Sequence, residues 1–149
     1  MSQIISAAVV VAFAAAFKGA LKRHPAAFYA LAALVAAAGV YFTFNPNPNG
    51  AARAVAFAIQ KGHLGFSMLA VVMFVGVLPE GSRARRWLAP VRGELSIIAA
   101  ILAAGHVANY LGAYLAQIAQ GFAVSKAASF AVAAVVVALL AVLAATSLR

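Results

Sequence analysis

The sequence predicts an all-α, integral membrane helical bundle of about five transmembrane helices, organised as a single domain over residues 1–149. Three observations predict it. Hydrophobic residues make up 66% of the chain and charged residues 9%, with a mean hydropathy of +1.03; a soluble domain of this size has too little interior to hide so much apolar surface. The apolar residues fall into five segments cut by charges and by Pro and Gly clusters. Eleven Lys and Arg stand against two Glu, a net charge of +9. Those bases sit in short intervals between apolar segments, which points to membrane topology and away from nucleic acid.

The first segment, residues 3–17, is short for a span of ~20 residues. Its alanine-rich run followed by charge has the look of a signal-peptide core, but no Lys or Arg precedes it, and Lys18, Lys22 and Arg23 follow it. A retained helix is expected. The second segment, 26–44, ends at Asn45-Pro-Asn-Pro-Asn-Gly50, where proline lacks a backbone donor and Asn-Gly favours a turn. An amphipathic stretch over 53–60 leads into the third segment, 62–78. The fourth, 94–118, opens on Glu94, whose carboxylate meets the positive end of the helix dipole. The fifth is 127–148. Alanine richness suits close-packed membrane helices, and no internal repeat of fixed period is present.

Charge asymmetry orients the bundle. Lys18, Lys22 and Arg23 follow the first segment, Arg83, Arg85, Arg86 and Arg92 follow the third, and Arg149 follows the fifth, whereas the alternate intervals hold only Arg53, Lys61 and Lys126. The larger set is expected in the cytoplasm, giving a multi-pass protein of the cell membrane with its N-terminus outside and its C-terminus inside. Glu80 and Glu94 flank the arginine-rich interval. The apolar segments themselves hold no other acidic residue, which argues against a pump built on carboxylate relays.

With no cysteine, the chain can form no disulfide, thiolate-held iron-sulfur cluster, Cys-linked zinc site or covalent c-type haem. The residue that points to chemistry is His106, midway along the fourth segment, because an ionisable group deep in a span is expensive. Leu102, Ala103, Asn109, Tyr110 and Ala113 share its helical face, and Gly105 beside it allows a flat group or another helix to come close. Two roles stay open: a polar clasp to Asn109 or a backbone carbonyl, and axial ligation of one b-type haem through neutral imidazole. A second imidazole could come from His63, which opens the third segment. Counted from the cytoplasmic helix ends, His63 lies about 15 residues up and His106 about 12, a depth difference of roughly 5 Å. His63 could equally be an interfacial residue at the helix mouth. His24, in the basic sequence Lys22-Arg23-His24-Pro25, reads as solvated and is discounted. Tyr110 is either a packed aromatic or a hydrogen-bond donor to a propionate or quinone.

The order of these features resembles a known family. The basic interval Arg83-Ala-Arg-Arg-Trp-Leu-Ala-Pro-Val-Arg92, the helix with His106 and Tyr110 four apart, Gly65 and Leu78-Pro79 in the third segment, and a later span closing on Ala145-Thr146-Ser147 look like the ferric reductase-like transmembrane domain. Within it, the likeness is nearest to the haem-binding membrane subunits that serve periplasmic methionine sulfoxide reductases. It covers residues 62–147 and rests on short motifs. The resemblance implies that His106 is a haem-iron ligand and that the activity is electron transfer across the membrane. Two departures limit it. A second family histidine along the same helix corresponds here to Arg92 on one side and Ala119 or Gln120 on the other, so one haem at most is implied. The family's partner histidines lie on a helix after the Thr-Ser stretch, and this sequence stops at Arg149. That helix then comes from another polypeptide, or was lost, or His63 takes its role, or no haem binds.

The expectation is thus a membrane b-type haem protein, an oxidoreductase subunit for electron transfer, with iron held by His106 and, in one version, His63. It carries no catalytic residue of its own. Expected partners are the lipid bilayer, a quinol or flavoprotein donor, and an outer-face redox partner or additional membrane subunit. The alternatives are a non-redox anchor or assembly subunit in which His106 is a structural contact, and a small-solute transporter, disfavoured by the lack of buried charge and of a repeat.

Overall fold

The computed structural model describes residues 3–44 and 62–119, together with 131–132, 134–136, 138–139 and 142, which are helical. The turn at 45–50, the amphipathic stretch 53–60 and most of the fifth segment lie outside the described residues. Among the described residues every element is a helix: α1 (Gln3–Arg23), α2 (Pro25–Phe44), α3 (His63–Val77), α4 (Arg83–Leu88), a 3₁₀ turn (Ala89–Val91) and α5 (Arg92–Ala119).

Helix α1 runs past the expected end at residue 17. Its last turn takes in Lys22 and Arg23, which are good helix formers, and their charge meets the negative end of the helix dipole. At 21 residues it is about 31 Å long, a full span. A single residue, His24, joins it to α2. The His24 amide still donates to Ala20 O at 2.8 Å, and Pro25 then opens α2, at the helix position where a missing N–H does no harm.

Helix α3 is shorter than the expected third span. Its start is fixed by Gly62 in the left-handed region at φ 67°, and its end by Leu78, held extended before Pro79. Its 15 residues make about 22 Å, less than a hydrocarbon core of ~30 Å. The arginine-rich interval, expected as a loop, is mostly helical. The Ser82 hydroxyl accepts from the Arg85 amide at 3.2 Å and caps α4. Pro90 in the 3₁₀ turn then leads into α5, which begins at Arg92, two residues ahead of the expected start, with Glu94 in its first turn.

Three pairings define the bundle. Helix α5 packs on both α2 and α3, and α1 packs on α3. The α3–α5 pair is antiparallel: Gly62 lies against His106, Gly65 against Leu102 and Ala103, and Gly76 against Arg92. The α1–α3 pair is parallel, with Gln3 bonded to His63 and Ser67 at one end and Lys18 stacked over Trp87 near the other. The α2–α5 pair is also parallel, Tyr29 lying within electrostatic reach of Glu94 and Ala36 touching Gly105. A β-carbon on Gly105 would come 2.5 Å from that of Ala36, so α2 and α5 approach through small residues, as membrane helices do.

The core runs along these seams: Val10, Ala14 and Leu21 of α1, Met68, Val71, Val72 and Val75 of α3, then Leu88, Val91, Leu95, Ile98 and Ala99. Large apolar side chains also cover the outside; Leu34, Phe66, Phe74 and Val77 are 69 to 81% exposed. An apolar exterior over an apolar core is what a lipid solvent permits and water does not. Three helical stretches, Gln3–Arg23, Pro25–Phe42 and Arg83–Leu111, are long and apolar enough to cross a membrane.

Candidate functional site

The pairings give the bundle two unlike ends. Gln3, His63, Ser67, His106, Asn109 and Tyr110 gather at one; the last turn of α1, all of α4 and Arg92 gather at the other. Both Glu80 and Glu94 belong to the basic end, so no described carboxylate accompanies the histidines.

His106 is placed by α5 against the first residue of α3. A β-carbon on Gly62 would lie 2.9 Å from two atoms of the imidazole, so the ring rests on bare backbone where any side chain would collide. This is one of two reasons that residue 62 is glycine, its positive φ being the other. On its other side the imidazole meets the Tyr110 ring, centroids 4.9 Å apart and planes tilted by 59°. Asn109, one turn beyond, is 92% buried, and neither its amide oxygen nor its amide nitrogen has a hydrogen-bond partner among the described residues. A buried amide left in that state is costly.

His63 lies at the same level but turns toward α1. Gln3 Nε2 donates to His63 Nδ1 at 3.0 Å, and Ser67 Oγ donates to Gln3 Oε1 at 3.2 Å. The chain of bonds closes equally well with the Gln3 amide reversed. Then His63 Nδ1–H donates to the amide oxygen, Gln3 Nε2 donates to Ser67 Oγ, and the ring proton leaves His63 Nε2 for Nδ1. The first arrangement makes His63 a structural donor-acceptor; the second gives it the tautomer of a metal ligand whose other nitrogen is held by a carbonyl. His24 is exposed between α1 and α2, at the opposite end from His106.

The structure therefore brings His63, His106 and Tyr110 to one end of the bundle and leaves His24 out. Among the described residues no group of three His, Cys, Asp or Glu side chains could hold a metal ion. A haem iron asks less of the protein, one or two axial donors, because the macrocycle supplies the others. Two seams beside His106 are closed to such a macrocycle. A β-carbon on Gly65 would meet that of Leu102 at 3.3 Å, and the α2–α5 contact at Gly105 is tighter still. The end beyond these contacts offers donors suited to such a group: an imidazole, a glycine where a side chain would intrude, and an orphaned amide one turn away. Gly62, Gln3 and Ser67 were not singled out from the sequence, although Gln3 and Ser67 are polar residues in otherwise apolar helices, a signal of interior contact.

Fold and site together define an all-α bundle, suited to a membrane by helix length and composition, with a histidine-containing polar cluster at one end. Compared with protein-family models, curated proteins and solved structures, the chain matches none.

Proposed function

We propose that the chain is a multi-pass membrane subunit that carries one b-type haem and passes single electrons between a quinol or flavoprotein donor and an acceptor beyond the outer face. What supports this is the position of His106. Its imidazole lies inside the bundle, at a level where α3 presents only the Gly62 backbone and where a second imidazole, His63, is the next residue. The resemblance of residues 62–147 to ferric reductase-like domains, which itself rests in part on His106 and Tyr110, is consistent with it. By the loop-charge rule the basic end is cytoplasmic and the start of α1 outside, which sets both histidines toward the outer leaflet.

A bound haem would supply a one-electron iron couple. The chain's residues have separate tasks. His106 would hold the haem iron, and Gly62 leaves room for its ring at the α3–α5 contact. Leu102, one turn before His106 and partly buried against the core, adds an apolar side chain on the same helical face. His63, with the Gln3 amide reversed, is the candidate second donor.

The test is optical. Protein expressed with ample haem is expected to show a Soret band and a dithionite-dependent b-type spectrum, lost in His106→Ala. No such spectrum in the wild type, or a full spectrum in His106→Ala, overturns the assignment. Loss of the low-spin signature in His63→Ala would identify the second ligand. The tight closure around His106 favours a second reading, a non-redox anchor or assembly subunit with His106 as a packing contact. Wild-type protein that stays colourless, alone and with any co-purifying subunit, would decide for it.

A further inference from the structure

We propose that the basic end of the bundle is a binding cradle for an anionic phospholipid headgroup, built by the last turns of α1 together with α4. It depends on the chain lying in a bilayer and is independent of haem.

The bases come from two stretches far apart in sequence. Helix α1 supplies Lys18, Lys22 and Arg23; α4 and the start of α5 supply Arg83, Arg86 and Arg92. The parallel packing of α1 on α3 joins them, and the Lys18 ammonium sits 5.5 Å from the centre of the Trp87 ring, a cation–π contact that ties α1 to α4. Arg85 has a different task. It donates to Leu78 O at 2.9 Å and to Glu80 Oε1 at 3.2 Å, closing the turn before α4. Among the described residues it alone is paired with a carboxylate. Lys22, Arg23, Arg83, Arg86 and Arg92 are exposed, and among the described residues no carboxylate pairs with them.

Position decides what balances these charges. Leu88 and Val91 are buried in the core, so α4 is anchored across the end of the bundle with Arg83 and Arg86 directed outward. Trp87, one helical turn after Arg83, is 39% exposed, the amphipathic placement that tryptophan takes at headgroup depth. The exposed apolar surface of α3 ends immediately before this cluster, at Phe74 and Val77. Acyl chains lying along that surface would bring a phosphodiester to the arginines, whose planar donors suit its oxygens. A soluble acidic partner would gain nothing from the adjoining lipid-facing surface.

Trp87 is the chain's one tryptophan, so its fluorescence reports on the cradle alone. The full-length chain would be placed in phosphatidylcholine vesicles doped, at equal mole fraction, with phosphatidylglycerol or phosphatidylcholine brominated on the acyl chain. Stronger quenching by the brominated phosphatidylglycerol is expected, reduced by 0.5 M salt. The Arg83→Gln/Arg86→Gln variant is expected to lose about 25-fold in apparent affinity, some 5-fold for each cation, while Lys126→Gln keeps the preference. If the arginine pair fails to fold, judged by helical circular dichroism and size exclusion, Lys22→Gln/Arg23→Gln serves in its place. Equal quenching by the two lipids overturns the proposal, as does a preference that survives loss of either pair of bases. A response of Trp87 to glycerol phosphate equal to that for the lipid, or quenching restored only by a soluble acidic protein, overturns it too.

Discussion

Gly62→Ala is expected to destabilise the bundle by about 2–5 kcal/mol, and the structure separates two causes. Gly62 has φ 67°, a conformation that costs an L-residue with a β-carbon about 1–2 kcal/mol. The same β-carbon would lie 2.9 Å from Cε1 and Nδ1 of His106 and 3.1 Å from its Cγ. The ring must therefore move, and overpacking of that kind adds about 1–3 kcal/mol. A double-mutant cycle isolates the second part. In a His106→Ala background the steric cost disappears and only the backbone cost remains, so the two substitutions should couple by about 1–3 kcal/mol. Gly62→Asn should lose less than Gly62→Ala on the backbone side, because asparagine tolerates the left-handed region. Gly81→Ala, where a β-carbon meets nothing within 4 Å, is the control, expected within about 0.5 kcal/mol of wild type. The assay is unfolding of the detergent-solubilised chain followed by circular dichroism. Wild-type stability in Gly62→Ala, or additive effects of Gly62→Ala and His106→Ala, would refute the contact between the start of α3 and the histidine.

Two further substitutions probe the packing around His106. Gly105→Ala forces α2 away from α5 and should cost about 1–3 kcal/mol, with Ala36→Gly restoring part of it in the same unfolding assay. Asn109→Leu removes a buried amide that has no partner among the described residues and should raise stability by about 1–2 kcal/mol in the apo protein; a loss of stability would mean that the amide is in use.

Several features of the site were legible in the sequence. His106, Asn109 and Tyr110 share a face because helical periodicity is local, and His24 was set apart by its basic neighbours. The depth match between His63 and His106 was anticipated, but only coarsely. The count assumed that the fourth helix begins at Glu94. With α5 beginning at Arg92 and Arg92 lying against Gly76, His63 is 13 residues (76 − 63) and His106 is 14 residues (106 − 92) from that common level. The expected first span was cut short at Phe17 because charge was taken as a boundary, whereas lysine and arginine continue a helix readily. The expected arginine loop is instead a capped helix, because Ser82 followed by α-forming residues is a start signal of its own.

By itself the sequence determined that the chain is all-α, where Pro25 and Pro79 interrupt it, and that positive charge is concentrated in two intervals. These follow from composition and from conformational preferences that act within a few residues. Only the tertiary structure decided that α1 packs on α3, that Gln3 therefore reaches His63, that His106 rests on Gly62, and that the two basic intervals form one surface. Helix α2 is apolar on nearly every side, and α3 beyond its first turn is polar only at Ser67, so their own patterns say little about a preferred partner. The choice of neighbour came instead from close approach at small residues and from a few polar bonds between positions tens of residues apart.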